Sequence, residues 1–183
     1  MKNQKRCPAY LFKITNSIDF LNTIVGKIAA WCSLLLVISV TIDVILRYGF
    51  NISFVFLGEL HWHIYALIFL LGAGFTLKDN GHVRVDVIYQ RLSKKTKAVI
   101  NIVGIIFFLF PGCFLVIKTS IPFIKSSWIV NEGSPDPGGL PYRYILKSVV
   151  PFSFFLLALQ GISMLLKNLC ILFDKKIKPN GDE

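Results

Sequence analysis

Asp43 and Arg47 stand four residues apart, as do Glu59 and His63, and these are the chemistry-bearing side chains set deepest in the apolar parts of the chain. Residues at i and i+4 share one helical face, so each couple can pair locally. For Asp43 and Arg47 two readings stand: an ion pair at the edge of an apolar segment, or a contact with a partner helix. For Glu59 the local partner is His63. A proton relay would need the path to continue inward, yet no acidic or basic residue occurs between His63 and Lys78. His61 and His63, two apart, point to different faces of a helix and do not bracket a haem, whose axial ligands converge from opposed elements. Farther along, Gln160 and Ser163 can hydrogen-bond either within a bundle or to another helix.

Other chemistry is poorly served. Only His61, His63 and His82 are available as imidazole ligands, and the cysteines at 7, 32, 113 and 170 form no C-x-x-C pair. They read as small apolar packing residues rather than a redox or metal site. No Ser or Cys has a His base at a useful spacing, so nucleophilic catalysis finds no support. No cofactor and no metal are expected.

The elements that carry these residues are four apolar stretches: Ile28 to Leu46, Phe56 to Leu77, Val99 to Ile117 and Val149 to Leu166. About 20 apolar residues, at about 1.5 Å each, cross about 30 Å of hydrocarbon. The third stretch contains no charge and no polar stripe of the kind a soluble amphipathic helix shows. The chain therefore reads as an all-α integral membrane protein with four transmembrane helices.

Charge sets the orientation. Fifteen of the 20 Lys and Arg lie before the first stretch, between the second and third, or after the fourth. Four spans place all three regions on one side, and the positive-inside rule makes that side cytoplasmic, with both termini there. The net charge of +10 then reflects topology and contact with anionic membrane lipids. A nucleic-acid partner is not expected, since no soluble domain interleaves basic and aromatic residues.

Ahead of the first span, Leu11, Ile14, Ile18, Leu21 and Val25 recur at helical steps, with Lys13, Asn16, Asp19 and Asn22 between them. This predicts an N-terminal interfacial amphipathic helix. The chain divides into a leader with this helix (1–25), a four-helix transmembrane domain (26–172) and a cytoplasmic tail (173–183). The first 23 residues lack the short apolar core of a cleavable signal. Ser93 is placed to cap the third span, and Pro111 is expected to kink it. The loop from 118 to 148 is rich in Gly and Pro, and Trp128, Tyr142 and Tyr144 suit an outer interface.

Taken in order, several local patterns resemble the small membrane subunit, of the DctQ type, of the tripartite periplasmic carriers called TRAP transporters. They are Arg47-Tyr48-Gly49-Phe50-Asn51, Glu59 opening the second span, Gly72-Ala73-Gly74, Gly81-His82-Val83-Arg84-Val85-Asp86 and Gln160-Gly161. The resemblance covers about residues 10 to 172. It implies residence in a bacterial inner membrane beside a large membrane permease subunit that carries the substrate and sodium sites and moves elevator-fashion. It also implies a periplasmic substrate-binding protein that delivers an organic acid. The small subunit would be static scaffold without a substrate site, and Asp43, Arg47, Tyr48, Asn51, Glu59, His82, Arg84, Asp86 and Gln160 would be its structural or partner-contact residues. The alternative is a four-span membrane enzyme or redox subunit, which would need paired Cys or converging His.

Overall fold

The computed structural model describes residues 9–79 and 92–173, and every regular element among them is helical. Four helices follow one another: α1 (Ala9–Gly49), α2 (Val55–Lys78), α3 (Lys94–Ile129) and α4 (Tyr144–Phe173). All four are long and apolar enough to cross a membrane. At about 1.5 Å per residue, α1 with its 41 residues reaches about 61 Å. That is about twice the hydrocarbon thickness.

Local chemistry explains where the helices stop and start. Asn51 takes a φ of 56° just past α1, and the Ile52 N–H returns to the Leu46 carbonyl at 3.0 Å. This is a left-handed helix stop, a conformation that asparagine tolerates better than other residues with a Cβ. Asn131, with a φ of 46°, follows α3 in the same way. At the opposite end of α3 the Ser93 hydroxyl accepts the Thr96 N–H at 3.2 Å, the N-cap that the sequence predicts.

Pro111 does not simply kink α3. The turn ahead of it, Ile105–Leu109, is π-helical, and the Phe110 N–H donates to the Ile105 carbonyl five residues back. Proline lacks a donor, and its ring crowds the carbonyl one turn earlier; widening the turn relieves both problems.

The last helix is the central one, packing against α1, α2 and α3, while α1 also lies along α2. Close approach relies on missing side chains. A Cβ on Gly161 of α4 would sit 2.7 Å from Leu109 of α3, and one on Gly26 of α1 would strike the Phe75 ring of α2. Most large apolar side chains of the helices point outward instead, as lipid or another membrane helix would require.

The leader departs from expectation in two respects. Residues 10–25 are helical, but they run into the first span as one unbroken helix. The expected apolar face is divided: Val25 is buried and Leu11 and Ile18 are half-buried, whereas Ile14 and Leu21 are exposed, and Thr15, Asn22 and Ala29 are buried alongside Val25. Asp19 and Asn22 on this side of the helix hydrogen-bond to α4. The cysteines are divided. Cys32 and Cys113 are free thiols, as packing residues would be, while Cys170 is disulfide-bonded, which the spacing of the cysteines did not foretell.

Candidate functional site

Two polar clusters occupy opposite ends of the bundle. Along α2 they are about 28 Å apart, the rise from Glu59 to Lys78.

The first cluster lies where α2 ends. Asp19 of α1 accepts three side-chain hydrogen bonds from α4: Gln160 at 3.0 Å, Ser163 at 2.9 Å and Lys167 at 2.5 Å. Asn22, one turn on, donates to the side-chain amide oxygen of Gln160 at 2.9 Å. Gln160 and Asn22 are only 1% exposed, so this is a buried network joining helices 138 residues apart in sequence. Lys78 at the end of α2 donates to Thr23 of α1 at 2.9 Å.

Gly74 belongs to the same cluster. A Cβ there would overlap the Asn22 Oδ1, an oxygen that is buried without an N–H or O–H partner. With no side chain at Gly74, that oxygen can lie close to α2. The glycine is therefore required by Asn22.

The second cluster binds the 130–143 loop to α2. Glu59 is buried, and its carboxylate accepts from Ser134 Oγ at 2.5 Å, from the Leu140 N–H at 2.5 Å and from the Arg143 guanidinium at 2.7 Å. Arg143 also lies over the Trp62 ring at 5.6 Å. Glu132 pairs with Lys147, chiefly for which reason its carboxyl titrates below the ordinary range. Trp128 stacks edge-on against Tyr144 at 4.5 Å, and Tyr142 follows at 5.8 Å.

These geometries revise several expectations. Asp43 and Arg47 do pair, at 2.9 Å, though the second Asp43 oxygen is buried without a partner. Tyr48 is exposed and Asn51 is the helix stop already described. Glu59 does not pair through its carboxylate with His63. The His63 Nδ1 instead lies 2.7 Å from the Glu59 backbone oxygen, because a guanidinium, a hydroxyl and an amide from the loop saturate the carboxylate. Gln160 and Ser163 bond within the bundle. His82, Arg84 and Asp86 lie outside the described residues.

Sequence reasoning passed over Asp19, Asn22, Lys167, Ser134 and Arg143. One signal was present: Asp19 and Asn22 are polar at helical spacing, just before a span, opposite a final span that carries Gln160 and Ser163. Among the described residues no three His, Cys, Asp or Glu converge as a metal site would require. What the two clusters do chemically is fasten elements together.

Residues 36–171 match the family described as tripartite ATP-independent periplasmic transporters, DctQ component. The chain belongs to the DctQ family. It is also 30% identical over 111 residues to a Haemophilus influenzae protein named "Putative TRAP transporter small permease protein", the match covering 59% of this chain and 67% of that protein. A DctQ protein is a transporter component and not an enzyme, and the chain is a multi-pass membrane protein of a tripartite system. The family match takes in Asp43, Glu59, Arg143, Gln160 and Lys167 but begins after Asp19 and Asn22.

Proposed function

We propose that this chain is the static small subunit of a transporter that imports an organic acid on the sodium gradient, and that it holds no substrate site of its own. Its partners would be a large membrane permease subunit and a periplasmic substrate-binding protein. It would reside in a bacterial inner membrane with both termini in the cytoplasm.

One observation carries the reading. The acidic side chains of the spans sit toward the helix ends, and each is engaged by a cation of this chain: Asp19 by Lys167, Asp43 by Arg47, Glu59 by Arg143. Between them the spans are bare of charge: no Asp, Glu, Lys, Arg or His occurs at 28–42, 64–77, 98–117 or 148–166. A carrier acting alone needs ionisable groups near the bilayer centre to bind and release a charged solute. Paired charges at both ends and an apolar middle suit a brace.

Reconstitution tests this. The isolated chain in liposomes should take up no carboxylate under a sodium gradient. Adding the large subunit and the binding protein should produce uptake, and leaving out this chain should remove it. Asp43→Asn and Glu59→Gln should reduce the amount of assembled complex more than its solute affinity. Uptake by the chain alone, or altered solute preference in either variant, would refute the brace.

A further inference from the structure

Cys170 stands in the last turn of α4 and is disulfide-bonded, while Cys32 and Cys113 are free thiols. The sequence holds four cysteines, so counting leaves Cys7, which lies outside the described residues, as the partner. Cys170 is half-buried. Two residues before it, Asn168 accepts a hydrogen bond at 3.3 Å from Asn101, near the start of α3. One turn before it, Lys167 pairs with Asp19 of α1. The bond therefore sits at the end of the bundle that carries Lys78, Lys94, Lys95 and Lys167.

We infer that Cys170 and Cys7 form a thiol–disulfide switch, closed when the surrounding compartment turns oxidising and open otherwise. Basic residues mark this end as the cytoplasmic one. Glutathione keeps thiols reduced there, so a disulfide in that compartment is transient and follows the redox poise instead of serving as a permanent staple. Exchange with glutathione disulfide closes the bond without any other reactant. One cysteine, as thiolate, attacks a sulfur of glutathione disulfide and expels one glutathione thiolate, leaving a mixed disulfide. The second cysteine attacks the protein sulfur of that mixed disulfide and expels the other glutathione. Two protein thiols and one glutathione disulfide thus become one protein disulfide and two glutathione thiols, and the reverse exchange opens the bond. Closed, it ties the first residues of the chain to the end of α4, beside the Asp19–Lys167 pair. Open, it leaves the polar contacts of α1 with α4 to hold that end. Cys113 is 3% exposed, and both it and Cys32 lie within apolar spans, out of reach of glutathione. The inference rests on the cytoplasmic placement of this end in the function proposed above.

Thiol trapping tests it with the full chain in cell membranes. Cells are quenched in acid, free thiols are alkylated, and disulfide-linked peptides are identified by mass spectrometry. Untreated cells should give Cys7 and Cys170 both alkylated. Brief treatment with diamide, which converts glutathione to its disulfide, should replace both by one linked peptide, and washing should restore them. For the purified chain in glutathione buffers, roughly a 100-fold change in the ratio of squared glutathione to glutathione disulfide should carry the bond from mostly open to mostly closed. Cys7→Ser should leave Cys170 as a thiol or a glutathione adduct with no linked peptide, while Cys32→Ser with Cys113→Ser should change nothing. A peptide joining Cys170 to Cys32 or Cys113, or no linked peptide at any ratio, overturns the pairing. A bond already complete in untreated cells overturns the switch. A reporter after residue 80 then separates the two readings. With a cytoplasmic signal, that permanent bond refutes the switch alone; with a periplasmic signal, it refutes the orientation on which the switch rests.

Discussion

The Glu59 carboxylate and the Arg143 guanidinium meet at 2.7 Å across 84 residues of chain. Through this contact, the loop between α3 and α4 is tied to the start of α2. Because Ser134 and the Leu140 amide converge on the same carboxylate, one side chain closes a loop that otherwise consists largely of turn formers.

Glu59→Gln should therefore open the loop without melting the helices. A neutral amide forms weaker hydrogen bonds and presents one oxygen where the carboxylate presents two. Trypsin cleavage after Arg143 should accelerate by about tenfold, as expected when local opening becomes easier. Arg143→Gln cannot be read at that bond, so amide exchange at Leu140 serves for both variants. If Leu140 remains as protected in Glu59→Gln as in the parent, the clasp is not what holds the loop.

Asp19→Asn should weaken the other end. It removes the charge that Lys167 pairs with and leaves Gln160 and Ser163 with a poorer acceptor. Hydrogen bonds to a charged group are worth about 1.5–3 kcal/mol, and partial exposure brings the expected loss to about 1–2 kcal/mol. Denaturation in detergent should show a lower midpoint, and the family-typical spans should remain helical. An unchanged midpoint would leave the network without an energetic role.

Gly74 and Asn22 give a sharper test, since their relation is steric. Gly74→Ala places a methyl group on the Asn22 amide oxygen, and overpacking of this kind costs about 1–3 kcal/mol. Asn22→Ala removes the obstacle. The same Gly74→Ala change should then be nearly neutral, or mildly stabilising because alanine is the better helix former. Equal costs in both backgrounds would show that the two positions do not interact.

How much of this was legible follows from the range of each interaction. The spans were readable because apolar length is a local property, and Ser93 and Ile28 to Leu46 needed no knowledge of the fold. The Asp43–Arg47 pair was readable for the same reason, being one helical turn. Asp19 and Lys167 lie 148 residues apart, and nothing local announces a partner at that distance. Glu59 was assigned to the basic residue one helical turn away, His63, where a loop far away in sequence supplies better donors. The π-helical turn was half visible: Pro111 signalled a disturbance but not which way the backbone would accommodate it. The leader was read as an interfacial amphipathic helix; it is helical, and only part of its apolar face packs, with Val25 buried and Ile14 and Leu21 exposed, while Asn22 from its polar set bonds to α4.

Acid should loosen the Glu132–Lys147 pair in a defined window. The carboxyl of Glu132 is held below its ordinary value of 4.5, mainly by the Lys147 ammonium. A depressed carboxylate pKa means that the folded state favours the ionised form. Its stabilising contribution is complete above the unfolded value and disappears as pH falls through the folded one. Thermal midpoints of the parent should exceed those of Glu132→Gln at neutral pH, and the gap should close only below about pH 4.5. A gap that closes near neutrality would assign the pH dependence to another group.

Membrane orientation is the broadest prediction. The structure places Lys78, Lys94, Lys95 and Lys167 toward one end of the bundle and the 130–143 loop toward the other. Lys and Arg near span ends are retained on the cytoplasmic side during insertion, so the first end should be cytoplasmic and the Glu59 clasp periplasmic. Reporter fusions after residue 51 and between residues 136 and 142 should signal periplasm. Fusions after residue 80 and at the tail should signal cytoplasm. The second pair is the more informative, because the six basic residues from Lys78 to Lys97 dominate the charge asymmetry. Replacing Lys94, Lys95 and Lys97 together by Gln should shift a fraction of the chains to mixed topology, detectable as signal from both reporters at residue 80. A periplasmic signal there in the unmodified chain would invert the bundle, and the Glu59 clasp would then lie where no periplasmic protein could reach it.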